Sequence, residues 1–353
     1  MTRQPEAQRY DWVDAAKGIC IILVVLMHST LGVEKALGTE TWLHGFIDWA
    51  RPFRMPDFFL ISGLFLASRI DRPWRAYLDT KVVHFAYFYV LWLTIQFALK
   101  APGMVGEMGA AATLESYLWS FIDPFGTLWF IYLLAVFFVV SKLLNEVPKT
   151  AVIAGTALLH VFAPMTGSVL LDEFSDRFVF FYTGYALAPV VFAYAERVAK
   201  WPALPVAALL AGWAVLNAVA VQSGITHVRG PDFIFSFAGI AAVIAASVLL
   251  ASTLPGRVLA YCGLHSIAIY LAFTVFMGPT RVLMLKLGGA DAPVVVALAA
   301  TLAGVVGSLV MRRLVAQTPL SFLFTRPKAL RLASSGPQSQ QNRGPRGVVE
   351  AAE

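Results

Sequence analysis

Asp14-Ala-Ala-Lys17-Gly18-Ile-Cys20-Ile-Ile-Leu-Val-Val-Leu-Met27-His28-Ser29 is the stretch on which the fold turns. From Ile19 to Met27 it is apolar without interruption, and Val294 to Val306 is apolar almost throughout. Strands of a membrane barrel alternate apolar and polar residues over ~10 positions, so neither run suits one. A helix satisfies its own backbone hydrogen bonds, and about 20 helical residues cross a ~30 Å hydrocarbon layer. Hydrophobic residues fill 58% of the 353 positions and charged residues 14%, against roughly 45–50% and 25% in soluble domains. A single water-solvated core cannot absorb that excess, so lipid is the main solvent. The expected fold class is all-α, a polytopic transmembrane helical bundle of about ten spans.

The apolar blocks place those spans at 15–33, 53–69, 82–99, 126–144, 150–164, 177–195, 203–222, 232–253, 264–285 and 292–314. The first carries no small-residue cleavage pattern and is read as a retained helix. With loops assigned alternately, 19 of the 27 Lys and Arg fall on the side of the termini. The positive-inside bias therefore predicts both termini in the cytoplasm, in the inner (cytoplasmic) membrane of the cell. The division that follows is a segment 1–14, a transmembrane domain 15–316 and a cytoplasmic tail 317–353. Ser334 to Glu353, rich in Ser, Gly, Gln and Pro, is expected to be disordered. Between Ala101 and Leu118 the longest outer loop is expected, with Gly103, Gly106 and Gly109 along it and a short interfacial helix through Trp119.

The net charge of +6 lies mostly between the apolar blocks, where it sets topology, and nothing marks nucleic-acid binding. Cys20 and Cys262 fall in or beside apolar blocks and read as inert thiols, with no disulfide framework, metal site or permanently bound cofactor expected. Ionisable groups at membrane depth are expensive, which makes each of them a candidate. His28 follows Lys17 by eleven residues, three turns plus about 20°, so the two share a face about 16 Å apart, and Asp14 joins them a turn earlier. A snorkelling lysine and a packing histidine would use the same positions. In Arg51-Pro-Phe-Arg54-Met-Pro-Asp57-Phe-Phe-Leu-Ile-Ser62-Gly63, the spacing of Arg54 and Asp57 predicts an ion pair on one face, and Ser62-Gly63 permits close helix contact. Arg69, Arg72, Arg75 and Lys81 form a basic cluster suited to lipid headgroups or a phosphorylated donor, though topology alone would also produce it. Lys81, His84, Phe88 and Trp92 then share a stripe.

At this point the chain resembles the acyltransferase-3 family of membrane acyltransferases, most strongly over residues 9–90. The family's aspartate, arginine-glycine pair, apolar helix and histidine match Asp14, Lys17-Gly18 and His28. Pro56 and Phe58-Phe-Leu-Ile-Ser62-Gly63 match the next element, Leu128-Trp129-Phe130 a later one, and Arg177 to Gly184 a mid-chain one. Three positions depart from the pattern. Lys17 replaces arginine, which keeps charge but loses the bidentate fork; Lys81 and His84 stand near an expected arginine pair; and Phe273 replaces the histidine of the late Ser266-x-x-x-Tyr270-Leu271 element.

The resemblance implies transfer of an acetyl- or succinyl-class group from cytoplasmic acyl-CoA, a co-substrate, to a hydroxyl of an envelope polysaccharide or lipid-linked glycan. Membrane lipids would be the other partner. Histidine is the side chain whose ordinary pKa suits a base near pH 7, which points to His28. Asp14 would then orient Lys17, and Arg54 with Asp57 would shape the acceptor side. Lys17, Arg69, Arg72, Lys81 and His84 would draw the donor's phosphates, with Trp129 and Arg177 toward the substrate. Two other classes use the same residues: a transporter or flippase for an anionic or lipid-linked solute, with His28 and Arg54 lining its path, and a catalytically lapsed structural relative.

Overall fold

A computed structural model describes residues 10–124 and 126–332; the expected disordered stretch 334–353 lies outside them. Every regular element among the described residues is helical. In chain order they are α1 (Asp11–Leu37), α2 (Trp42–Trp49), α3 (Arg51–Gly63), α4 (Trp74–Leu78), α5 (His84–Met108), α6 (Ala110–Trp119), α7 (Trp129–Leu143) and α8 (Lys149–Phe162). They continue as α9 (Val169–Ala186), α10 (Ala188–Lys200), α11 (Ala203–Gln222), α12 (Arg229–Leu250), α13 (Leu254–Leu264), α14 (Ser266–Lys286) and α15 (Pro293–Val315).

Six helical stretches are long and apolar enough to cross a membrane alone, or seven if the bent pair α9 and α10 is one span. The count of about ten read from the apolar blocks is looser than this, because α7, α8 and α3 carry only 15, 14 and 13 residues. The outer surface fits lipid as solvent: on α11, Leu204, Leu209, Val215, Leu216 and Val219 are all exposed.

Three boundaries differ from the sequence reading, each for a local reason. The block 177–195 is two helices bent by 76°. Pro189 opens α10 without an N–H to donate, and Leu187 before it leaves helical geometry at φ −108 and ψ 19. The outer loop expected over 101–118 is largely helix, since α5 continues to Met108 and only Gly109, at φ 86, breaks it. Upstream, a π-helical turn over Asp79–Val83 joins α4 to α5, so Trp74–Met108 runs as one 35-residue helix.

α1 is the central element. α3 runs antiparallel to it, as three contacts show: Arg54 meets Met27, Asp57 meets Cys20, and Lys17 lies over Phe65 just past the end of α3. On another side α13 presses so closely that a Cβ on Gly18 would stand 2.0 Å from the Leu259 carbonyl oxygen. Gly18 of the opening motif is thus a packing requirement. Gly63 and Gly184 repeat the device between α3 and α9, where added Cβ atoms would lie 2.1 Å from the Phe181 oxygen and 2.0 Å from the Leu60 oxygen. Ser62-Gly63 therefore does permit the close contact its sequence implied. Around the seam, Phe58 stacks on Phe130 at 4.7 Å, Phe59 lies 5.0 Å from Phe137, and Phe137 lies 5.1 Å from Phe178. Such pairs add about 0.5–1.5 kcal/mol each beyond the area they bury.

After α15 the chain does not leave the bundle. Residues 318–332 form a strap of short 3-10 turns laid against α4, the π turn and α5.

Candidate functional site

The antiparallel pairing of α1 and α3 sorts the sequence-derived candidates into two levels. Lys17 and the segment after α3 lie at one level. His28, Arg54 and the beginning of α3 lie at the other, about 16 Å along α1 by helical rise.

At the His28 level, half-buried His28 packs its ring 5.5 Å from Phe273. That contact gives the third departure a physical meaning: the position that is histidine in the family-like pattern adjoins the candidate base, and here it presents a ring without hydrogen-bonding groups. One residue earlier, Met27 Sδ accepts from Arg54 Nη2 at 2.7 Å, while Arg54 Nη1 donates to the Ile47 carbonyl at 3.3 Å. Arg54 is 7% exposed and Asp57 fully buried. Asp57 accepts from the Cys20 thiol at 2.8 Å, and its other oxygen and Arg54 Nε have no partner.

The expected Arg54–Asp57 ion pair is therefore absent among the described residues. Three helical residues leave the two side chains about 60° apart around the axis. Met27 and Cys20, two turns apart on α1, draw them in separate directions. Cys20, read as an inert thiol, is a free and buried cysteine that donates to the most deeply buried carboxyl of the group.

Nearby, the loop into α7 is tied in by polar contacts. Gln96 Nε2 donates to the Leu271 carbonyl at 3.2 Å, Thr127 Oγ1 to Gln96 Oε1 at 3.4 Å, and the Tyr270 hydroxyl to the Thr127 carbonyl. Trp129, the first residue of α7, lies against Phe59 at 6.0 Å. Arg177 pairs with Glu173 one turn back on α9 at 3.0 Å. Beside it, His160 Nδ1 meets the Asp176 carbonyl at 2.9 Å, and Arg229 approaches the Asp176 carboxylate at 3.3 Å. His160, Asp176 and Arg229 carried no motif signal, and only their depth in or beside apolar blocks marks them.

At the other level, buried Asp14 and half-buried Lys17 lie next to α13, with Lys17 Nζ 5.8 Å from the Phe65 ring. Among the described residues, the half-buried guanidinium groups of Arg69 and Arg72 make no hydrogen bond or ion pair. The carbonyls of Ile70 and Arg72 accept from Lys142, at the end of α7, which also covers the Trp74 and Tyr77 rings. Lys81 Nζ lies 4.7 Å from the Phe138 ring, and His84 sits edge-on between Phe85 and Phe88. Two surface hollows, of about 390 Å³ beside α6 and 240 Å³ beside α13, are lined by neither His28 nor Lys17.

At the end of α1 away from Lys17, Glu34 accepts from the Thr41 backbone N–H at 2.8 Å and hydroxyl at 3.0 Å, and pairs with His44 at 2.7 Å. The Glu34 carboxylate pushes the His44 pKa above its ordinary value.

Comparison with known proteins gives three findings. A family model described as an acyltransferase domain matches residues 10–313. Over 163 residues the chain is 32% identical to the inner membrane protein YcfT of Escherichia coli (strain K12). That stretch is 39% of this chain and 45% of YcfT, so the chain spans less than half the length of this relative. No solved structure matches.

Proposed function

The chain belongs to the acyltransferase domain family, and from that premise we propose an O-acyltransferase of the inner membrane with both termini in the cytoplasm. It moves an acetyl- or succinyl-class group from cytoplasmic acyl-CoA to a hydroxyl of an envelope glycan or lipid-linked glycan. The inner-membrane assignment is supported by the name of the relative, and the orientation by the excess of Lys and Arg on one side of the spans.

The observation that carries the reading is the setting of His28: a histidine three turns beyond Lys17 on the central helix, beside the buried Arg54 and against Phe273. In the proposed step the acceptor hydroxyl oxygen attacks the thioester carbonyl while the His28 imidazole takes its proton. The carbon–sulfur bond breaks, and the departing thiolate recovers that proton from the imidazolium. Arg54 offers positive charge to the oxygen that becomes negative in between. Lys17, Arg69 and Arg72 attract the donor's phosphates from the cytoplasm, and Asp14 orients Lys17. Asp57, Trp129 and Arg177 shape the acceptor side.

The test is acyl transfer by purified protein with acetyl- and succinyl-CoA. General-base loss typically removes 10²–10⁴-fold of rate, so His28→Ala and His28→Gln should abolish measurable transfer with the thermal midpoint unchanged. A glutamine variant with near-normal turnover would refute the role of His28.

A further inference from the structure

The strap after α15 is held by contacts that bracket two of the donor-side candidates. Arg326, 8% exposed, donates from Nη2 to Asp79 Oδ2 at 2.9 Å and from Nη1 to the Asp79 carbonyl at 2.7 Å. Asp79 is itself 5% exposed, and its second oxygen accepts from the Leu332 backbone N–H at 2.6 Å. Arg75 Nε donates to the Leu332 carbonyl at 2.9 Å. Further along α5, the Tyr87 hydroxyl donates to the Phe322 carbonyl at 2.9 Å, Trp92 Nε1 to the Leu323 carbonyl at 2.9 Å, and the Trp92 ring lies 5.5 Å from Phe324. The strap is thus fixed at positions 75, 79, 87 and 92 of one continuous helix. Lys81 and His84 lie inside that interval.

Asp79 opens the π turn, Lys81 is inside it and His84 follows its last residue. A π turn is rare, lies as a single turn inside an α-helix and is frequent at functional sites. Here a buried guanidinium fork binds one carboxylate oxygen and the backbone carbonyl of Asp79, while the Leu332 N–H takes the other carboxylate oxygen. Freeing Asp79 removes the restraint that sets where the next five residues point.

We propose that the strap forms one wall of the donor site and that Asp79 and Arg326 are positioning residues, acting through the π turn on Lys81 and His84. This rests on the reading that acyl-CoA approaches those two residues. Neither Asp79 nor Arg326 touches the reacting atoms, so their loss changes donor recognition and leaves the chemical step intact.

The experiment uses the full-length protein in detergent with acetyl-CoA as the probe. Arg326→Ala should raise the KM for acetyl-CoA about tenfold, within the usual 5–150-fold range of coupling between sites, with kcat within about twofold of wild type. Arg326→Lys, which keeps charge and loses the fork, should fall between the two. Asp79→Asn should match Arg326→Ala, and the double variant should be no worse than either alone. Hydrogen exchange over 322–332 reports whether the strap has been released. If Arg326→Ala fails to fold, Tyr87→Phe removes the hydroxyl that holds the Phe322 carbonyl of the strap and should raise KM severalfold by the same route. A strap shown to be released while KM stays at the wild-type value overturns the proposal, as does a lowered kcat at constant KM. If wild-type protein neither binds nor turns over acetyl- or succinyl-CoA, the donor reading itself fails and the inference goes with it. That outcome is distinguished because it appears before any variant is made.

Discussion

Asp57→Asn separates two descriptions of the buried polar centre. Had Arg54 and Asp57 formed the ion pair their spacing suggests, neutralising one member would leave the other unpaired in the bundle, at a cost of about 3–5 kcal/mol. Their actual partners are different. Asp57 accepts one weak bond from Cys20 Sγ and keeps its second oxygen unpartnered, while Arg54 is held by Met27 and the Ile47 carbonyl. An asparagine of the same shape retains an acceptor for the thiol and exchanges one unsatisfied group for another, so the expected change in stability is within about 1 kcal/mol. Denaturant unfolding in detergent, followed by tryptophan fluorescence, measures it. A double-mutant cycle with Arg54→Gln should give a coupling below about 2 kcal/mol, short of the about 3–5 kcal/mol lost when a buried pair is broken. A coupling of 2 kcal/mol or more would refute the partner assignment. Under the proposed function the same Asp57→Asn protein should lose transfer activity, which separates a functional carboxyl from a structural one.

Gly63→Ala and Gly184→Ala should each destabilise the fold by about 1–3 kcal/mol, the usual scale of overpacking, because each new methyl would meet a carbonyl oxygen across the α3–α9 seam. Gly212→Ala on α11, with open space around it, should be neutral or stabilising by up to about 1 kcal/mol from helix propensity; unfolding curves of all three variants check the contrast. The Glu34 contact favours protonated His44 in the folded state, so its stabilisation is complete below an unfolded pKa of about 6.5 and is lost as pH rises through the higher folded value. The thermal midpoint of wild type should show that loss on the alkaline side, and His44→Ala should not. Truncation after residue 334 should leave insertion and the thermal midpoint unchanged, whereas truncation after 318 removes the carbonyl partners of Tyr87 and Trp92 and should lower the midpoint.

What the sequence discloses depends on whether the signal is local. Apolar runs are local, and the membrane helices that they mark were legible. The 76° bend was legible in principle, since Pro189 interrupts the block, but a smooth hydropathy trace ran across it. Arg54 and Asp57 show the limit of helical spacing: it says which side chains can meet, while the neighbouring helix decides whether they do. Phe273 was visible as a departure, yet its contact with His28 depends on how α14 packs against α1. The strap left no periodic trace at all. Tyr87 and Trp92 bind it through backbone carbonyls, which every residue possesses, and the Asp79–Arg326 pair spans most of the chain.

The helix Trp74–Met108 carries a further consequence. Its 35 residues make about 52 Å at 1.5 Å per residue, against a hydrocarbon layer of ~30 Å. Tilting alone would need more than 50°, beyond the 0–40° range of known spans, so several turns of this rod stand clear of the acyl chains. The final stretch is not dressed for water: Leu99, Val105 and Met108 are exposed, as are Leu114, Leu118 and Trp119 on α6 after the break at Gly109. Such an overhang is suited to the headgroup layer. A thicker bilayer covers more of the exposed apolar side chains at this end, so reconstitution into short-chain and long-chain bilayers should rank the stability in favour of the thicker one.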